Sequence, residues 1–405
     1  MNEEDRLSAL LRQTAFPPTL LTPGGAVRTA RRSLRRRRVT MSAAAAVVAV
    51  AAMAVPTLIQ VNQNVIVANS PSPLVSPSPT PTPSLSKKAA SPWVTEALAL
   101  PAGIRYASAQ TVDATGRYIA GVAEDNRVVL WDNGSPVLLP PIPGRVHDVY
   151  ARSINSSGYL IGTAEDQKAS VEDNYPWLYH DGQMTILAKP KGDIRVQALA
   201  INTRGDILGW ADNAGPVLWH VSNPGKVTKL SGLDGGSGLG DDGTVGGRIG
   251  DGDHPAVRDP SGKVTIVAEA PGRPGGKVDA VAGEWASGWV AGPTPNVIAA
   301  KWNLRTGELI QYPQYAGPIY RLCATGAFLS ERSGYGGTVF VDPLGNYEDL
   351  LPLAEADVAA MLANPRSRYL DANDLSDDGT LVVGTQFGRA GGGEGAVPVM
   401  WRLKR

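Results

Sequence analysis

The chain has 405 residues, 43% of them hydrophobic, with 46 glycines, 32 prolines and one cysteine, a composition that suits a globular fold with many tight turns. Its formal charge of zero has unequal parts: nine arginines and three acids within residues 1–38 leave 38 − 9 = 29 basic and 38 − 3 = 35 acidic residues beyond them. A mildly acidic body argues against nucleic acid as a partner, which needs a basic surface, and the lone Cys323 excludes an intrachain disulfide or a cysteine metal cluster.

Residues 1–38 read as a short basic cytoplasmic tail. Asp5 to Thr14 has a helical pattern with Leu7, Leu10 and Leu11 on one face, and Pro17-Pro18 ends it. The arginines of Arg31-Arg32-Ser33-Leu34-Arg35-Arg36-Arg37-Arg38 precede residues 39–61, which carry no charge and are long enough to cross a bilayer as a helix. Basic residues on the N-terminal flank hold that end inside and put the remainder outside the cell. A signal-peptidase site at Ala52-Met53-Ala54 and a twin-arginine signal at Arg31-Arg32 compete with this reading; the long basic segment favours an uncleaved anchor. Residues 62–91 form a disordered stalk. Ser70-Pro71-Ser72-Pro73 and Ser76-Pro77-Ser78-Pro79-Thr80-Pro81-Thr82-Pro83 keep the backbone extended, and at about 3 Å per residue the tract from Ser70 to Pro92 reaches roughly 60–70 Å.

Residues 92–405 repeat one phrase. Ile154-Asn155-Ser156-Ser157-Gly158-Tyr159-Leu160-Ile161-Gly162 leads to Trp177, and Ile201-Asn202-Thr203-Arg204-Gly205-Asp206-Ile207-Leu208-Gly209 leads to Trp219. Aligned on the turn glycine, the copies fall at Gly116, Gly158, Gly205, Gly243, Gly288, Gly326 and Gly379. The interval is 263 residues over six steps, about 44 each, the length of a four-stranded propeller blade. The fifth and sixth copies, Trp285–Gly292 and Leu322–Ser330, are worn. In each copy the Asn or Asp side chain caps a tight turn, glycine supplies the positive φ, and a second glycine (Gly162, Gly209) permits close packing. Aromatics recur on the third strand at Trp131, Trp177 or Tyr179, Trp219, Trp302, Phe340 and Trp401, with Arg258 as the exception, and are expected to wedge between sheets. The last copy holds three strands, so Trp93–Leu100 is expected to pair with Val397–Leu403 as its fourth and close the ring. The fold class is therefore all-β, a seven-bladed β-propeller with its N-terminal strand in the last blade, behind a transmembrane helix and a linker.

The copies Ala-x-x-Ile-Asn-x-x-Gly-x-Ile/Leu-x-Gly at Ala151–Gly162 and Ala198–Gly209 resemble the extracellular propeller repeats of secreted bacterial proteins and, more distantly, WD-type blades. The resemblance covers residues 91–405 and implies a fold, with no functional residues attached. The tail, membrane segment and stalk resemble those of surface-anchored proteins of high-GC Gram-positive bacteria. Some of those hold a sigma factor by a short cytoplasmic tail, to which residues 1–38 are loosely similar.

Catalytic patterns fail on the residues. Around Gly276-Lys277, Pro271 and Val278 stand where a phosphate loop needs glycine and Ser/Thr, and Gly235-Gly236-Ser237-Gly238-Leu239 breaks the nucleophile-elbow pattern at its end. His180 and His220 share a repeat position on adjacent blades, too far apart for one metal, and His147 and His254 complete the histidines. Asp234, Asp241, Asp242, Asp251 and Asp253 lie in glycine-rich turns whose spacing does not match a calcium loop. No cofactor and no metal is expected. One basic set stands out: Arg105, His147, Arg195, Lys277 and Arg368 fall ten or eleven residues before the aligned glycines, with Arg321 nearby. Where chains enter innermost strands, such a set would draw an anionic group to the channel mouth. Longer loops at Ala164–Tyr175 and Gly388–Gly395 would share that face. These features point to a monomeric, non-enzymatic recognition module outside a single-pass membrane anchor, with an unidentified extracellular ligand or protein as partner. The alternatives are signalling through a regulator such as a sigma factor bound by the tail, and an extracellular hydrolase or lyase using Asp148, Arg195 or Asp371 at the channel mouth.

Overall fold

The turn shared by the repeats forms for a local reason. In Asn155-Ser156-Ser157-Gly158 the Asn155 Oδ1 accepts hydrogen bonds from the Ser157 and Tyr159 amides, each 3.1 Å. Gly158 takes a φ of 80°, which glycine adopts at little steric cost, and its amide closes the turn on the Asn155 carbonyl. Asp113 and Asn202 head the same turn at Gly116 and Gly205. A computed structural model describes residues 91–144, 146–166, 173–293, 297–332, 338–353, 369–387 and 395–404. The expected tail, membrane helix and most of the stalk lie outside the described residues, among which no helix is long and apolar enough to cross a membrane.

The strands assemble into seven antiparallel four-stranded blades. Blades 1 to 4 start from the innermost strands Ala107–Val112, Val146–Ile154, Val196–Ile201 and Gly235–Leu239. Blade 5 starts from Gly276–Ala282 and is joined to blade 6 by one 14-residue strand, Leu309–Leu322. Its beginning is the outer edge of blade 5 and its end is the innermost strand of blade 6. Blade 7 starts from Tyr369–Leu375, and its outer strand is Trp93–Ala97. Trp93 pairs with Leu403 and Ala97 with Val399, so the expected closure is present, with a strand three residues shorter than the expected Trp93–Leu100. Inner strands pack on those of the preceding blade all the way round, from blade 7 back onto blade 1.

Two readings of the repeat need correcting. Gly288 does not form the blade 5 turn: it pairs with Val278 in mid-strand, and Gly283, with φ 57°, makes the turn instead. The turn glycine of this blade therefore lies 288 − 283 = 5 residues before the aligned one. The second change concerns the aromatic set. Trp131, Trp219, Trp302 and Trp401, each at most 1% exposed, occupy equivalent register positions opposite Ile119, Ile207, Ala286 and Val382. In blade 2 that position belongs to Tyr179, while the fully buried Trp177 stands opposite Gly162. In blade 6 it belongs to Val341; Phe340 faces the other way and packs edge-on against Trp93, 4.9 Å between centroids.

The wedge is held by a bond as well as by burial. The indole Nε1 groups of Trp131, Trp219, Trp302 and Trp401 donate to the carbonyls of Ala99, Ala188, Ala268 and Leu351, in the links arriving from the preceding blade, at 2.6–2.7 Å. Blade 4 has Arg258 at this position, and its Nε donates to the equivalent Ser231 carbonyl at 3.2 Å. Arginine thus reproduces the tryptophan bond without the ring. Lys301 is a second departure, standing where other blades hold Leu130, Leu178, Leu218 and Met400. It is fully buried, donates to the Gly326 carbonyl at 2.9 Å, and lies 4.6 Å from the Trp285 ring centroid. Burial holds its ammonium below the usual lysine range.

Candidate functional site

The innermost strands wall a central channel, and the ladder shows how side chains reach it. In each of blades 1, 2, 3, 4, 5 and 7 the inner strand carries a β-bulge just past the residue facing the mid-strand glycine. The extra residues are Gln110, Arg152, Leu199, Ser237, Asp279 and Asn373. A bulge leaves one residue outside the ladder and redirects its side chain. All but Asp279 are partly open, whereas the preceding Ala109, Ala151, Ala198 and Val278 are sealed.

The bulge also explains the second glycine. It pushes the inner-strand carbonyl toward the neighbouring strand, where a Cβ on Gly121, Gly162, Gly209, Gly247, Gly288 or Gly384 would stand 1.7–2.3 Å from the oxygen. Blade 6 lacks the tight bulge, because Leu309–Leu322 is irregular between Ala316 and Arg321, and Ser330 takes the glycine's place.

Side chains stitch each blade to the next. Gln110 Oε1 accepts from the Ala151 amide, Asn155 Nδ2 donates to the Asn202 carbonyl, and Asn202 Nδ2 donates to that of Gly240. Ser237 Oγ donates to Asp279, Lys301 joins blade 5 to blade 6, Arg321 Nε donates to the Asn373 carbonyl, and Asn373 Nδ2 donates to that of Ala109. The seven interfaces are therefore all bridged. Asp374 adds to the last, accepting from Thr111 Oγ1 at 2.7 Å and the Val112 amide at 3.1 Å. Its burial pushes the carboxyl above the usual range, with Arg321, 3.5 Å away, opposing the shift.

The basic residues singled out in the sequence occupy several levels of this wall. Counted from the residue facing the mid-strand glycine, Arg105 and His147 stand four positions earlier, Arg195 three and Lys277 one, and Arg321 lies beyond the bulge at the level of Asp374. At about 3.3 Å per residue the set spans about 20 Å along the strands. Counting back to an aligned glycine had hidden the bulges and the misplaced Gly288. Each placed side chain has a carboxylate beside it: Arg105 with Glu124 at 3.0 Å, Arg195 with Asp212 at 3.8 Å, Lys277 with Asp279 at 2.7 Å, and Arg321 with Asp374. The side chain of His147 and all of Arg368 fall outside the described residues, as do residues 167–172 and 388–394 of the two longer loops.

Arg152 is the channel residue that sequence reasoning missed. Its guanidinium lies 4.9 Å from the Tyr150 ring centroid, and its Nε is shielded from solvent with no hydrogen-bond partner. An unsatisfied buried donor of this kind costs about 1–3 kcal/mol, more when charged. The available signal was a charge inside Ala151-Arg152-Ser153-Ile154-Asn155, where the sister copy reads Ala198-Leu199-Ala200-Ile201-Asn202.

The other flagged residues have local roles. His180 stacks on Tyr159 at 3.7 Å, His220 bonds to Ser222 and the Arg204 carbonyl, and His254 pairs with Glu269. Asp242 caps Thr244, Asp241 accepts from the Thr203 amide, Asp234 from that of Gly250, and Asp253 pairs with Arg248. Among the described residues no group of three or more His, Cys, Asp or Glu side chains could hold a metal ion. Cys323 is fully buried and bonds Thr325 through its thiol.

By its sheets and register the described domain is a seven-bladed β-propeller. No protein-family model matches the chain and no curated protein matches it. Similar solved structures include U3-55K, 15% identical with a TM-score of 0.48, covering 76% of this chain and 98% of that one. Another is a streptogramin B lyase, 12% identical with a TM-score of 0.47, covering 77% and 98%.

Proposed function

We propose that this protein is a non-catalytic recognition module, displayed on the outer face of the cell membrane by residues 39–61 and a proline-rich stalk, and that its ligand is read in the central channel. The carrying observation is a contrast between frame and channel. Five of the seven wedge positions carry tryptophan or an arginine making the same bond, with Tyr179 and Val341 in the other two, whereas the bulged channel positions read Gln110, Arg152, Leu199, Ser237, Asp279 and Asn373. A repeat kept uniform where it packs and varied where it opens suits a rigid holder of unlike contacts. The basic residues Arg105, His147, Arg195, Lys277, Arg321 and Arg368 would contribute to the approach of an anionic ligand, tempered at Arg105, Arg195, Lys277 and Arg321 by their acidic partners. Recovery of a bound ligand in chemically altered form would instead place catalysis in the channel.

Display outside the cell has a direct test. Cys323 is buried, and Leu344 is 87% exposed. A Leu344→Cys variant of the full chain should therefore react with a membrane-impermeant maleimide on intact cells. Labelling that appears only after lysis would refute the outward orientation.

A further inference from the structure

We infer that the channel holds a site for a small oxyanion, a carboxylate or phosphate group, gripped between the guanidinium groups of Arg152 in blade 2 and Arg321 in blade 6. The assignment rests on the recognition reading above and names the chemistry of its ligand.

Three observations carry it. Arg152 is the bulged residue of its blade, so it leaves the ladder on the channel wall, and its shielded Nε has no partner. Arg321 is held on the opposite side by its bond to the Asn373 carbonyl, 2.8 Å, and stands 3.5 Å from Asp374. The two arginines belong to blades three steps apart round the ring, so their mutual repulsion is felt across the channel. Together with burial, which acts first, it holds the Arg152 guanidinium below its ordinary range. Asp374 offsets Arg321, and Tyr150 and Glu165 act on Arg152 with the opposite sign to Arg321. A guanidinium with an unpartnered donor and a second cation across the channel is matched by an oxyanion, which can accept from Arg152 and from Nη2 of Arg321, whose Nε and Nη1 are held by the Asn373 and Tyr320 carbonyls. The polar neighbours suit a ligand larger than the anionic group itself: Asn373 and Gln110 line the adjoining blades, and Ser237 the far side.

The test uses full-length protein with succinate, inorganic phosphate and neutral succinamide, each titrated at constant ionic strength and followed by melting temperature and calorimetry. Succinate or phosphate is expected to raise the Tm saturably, by about 4 °C at a hundredfold excess over Kd, and succinamide is expected not to. The stronger of the two anions identifies the group. Arg152→Gln should abolish the rise while its own Tm without ligand equals or exceeds the parent's, because a shielded donor without a partner has gone. Arg152→Lys should retain a weaker response. Equal shifts in the parent and Arg152→Gln, or no saturable response to either anion, would overturn the site. A response to succinamide equal to that of succinate would also overturn it, while leaving recognition in the channel standing.

Discussion

Deleting residues 91–101 is expected to leave a chain that melts far below the parent or does not fold. The segment supplies the outer strand of blade 7, paired from Trp93 to Ala97 with the C-terminal strand. It also supplies Trp93, 3% exposed, whose indole donates to Glu348 at 2.7 Å, and Leu98, 4% exposed in the core between blades 7 and 1. The Ala99 carbonyl that receives the Trp131 indole is lost with it. Truncating one buried tryptophan costs about 3–5 kcal/mol, and the bonds and second apolar side chain bring the total above about 5 kcal/mol. Native domains hold about 5–15 kcal/mol in all. A milder variant, Trp93→Ala, should still fold and lose about 5–8 °C of Tm. Calorimetry decides, and an unchanged melt for the deletion would mean that the ring closes some other way.

Gly209→Ala is the second large effect, though it adds a single methyl group. The new Cβ would stand 2.3 Å from the Gln197 carbonyl oxygen and 2.3 Å from Trp219 Cζ3. Neither can retreat: the carbonyl is fixed by the bulge, and the indole is sealed at 1% exposure and bonded to Ala188. Overpacking of this kind costs about 1–3 kcal/mol, and contact with backbone puts Gly209 at the upper end. Blade 6 provides the control. Ser330 already occupies this position and its buried Oγ has no partner. Ser330→Ala is therefore expected to be neutral or slightly stabilising in urea unfolding. Similar losses at both positions would show that the bulge does not impose the glycine.

The contrast between these two residues shows what was legible in the chain. Seven blades and their closure were readable because turn glycines and wedge tryptophans recur at the blade length, and because Val94-Thr95-Glu96-Ala97 looks like a missing fourth strand. A bulge leaves no such mark. It is a hydrogen-bonding event between strands, so the reason for Gly121, Gly162 and Gly209 and the channel-facing role of Arg152 emerge only once the register is known. Degenerate copies misled for a related reason. Blade 5 shortened its turn to Gly283, so Gly288 was mistaken for it, and in blade 6 Phe340 sits one residue from the wedge position that Val341 holds. Arg258 was recognised as an exception, but its bond to the Ser231 carbonyl, which makes it a functional equivalent of tryptophan, is a tertiary contact. The basic set was chosen by spacing alone; the acidic partners Glu124, Asp212 and Asp374 come from neighbouring strands or a neighbouring blade, and Asp279 comes from the same strand as Lys277, two residues on.

The account turns on a separation between a uniform frame and a varied channel wall, and one comparison tests it within a single blade. Trp219 and Leu199 both belong to blade 3, the first sealed in the wedge and the second half-buried on the bulge. Urea unfolding of full-length Trp219→Ala and Leu199→Gln should show a loss of about 3–5 kcal/mol for the first and less than about 0.5 kcal/mol for the second. If Leu199→Gln destabilised the protein as much as Trp219→Ala, the bulged positions would be part of the core, and the channel would lose its claim to be the recognition site.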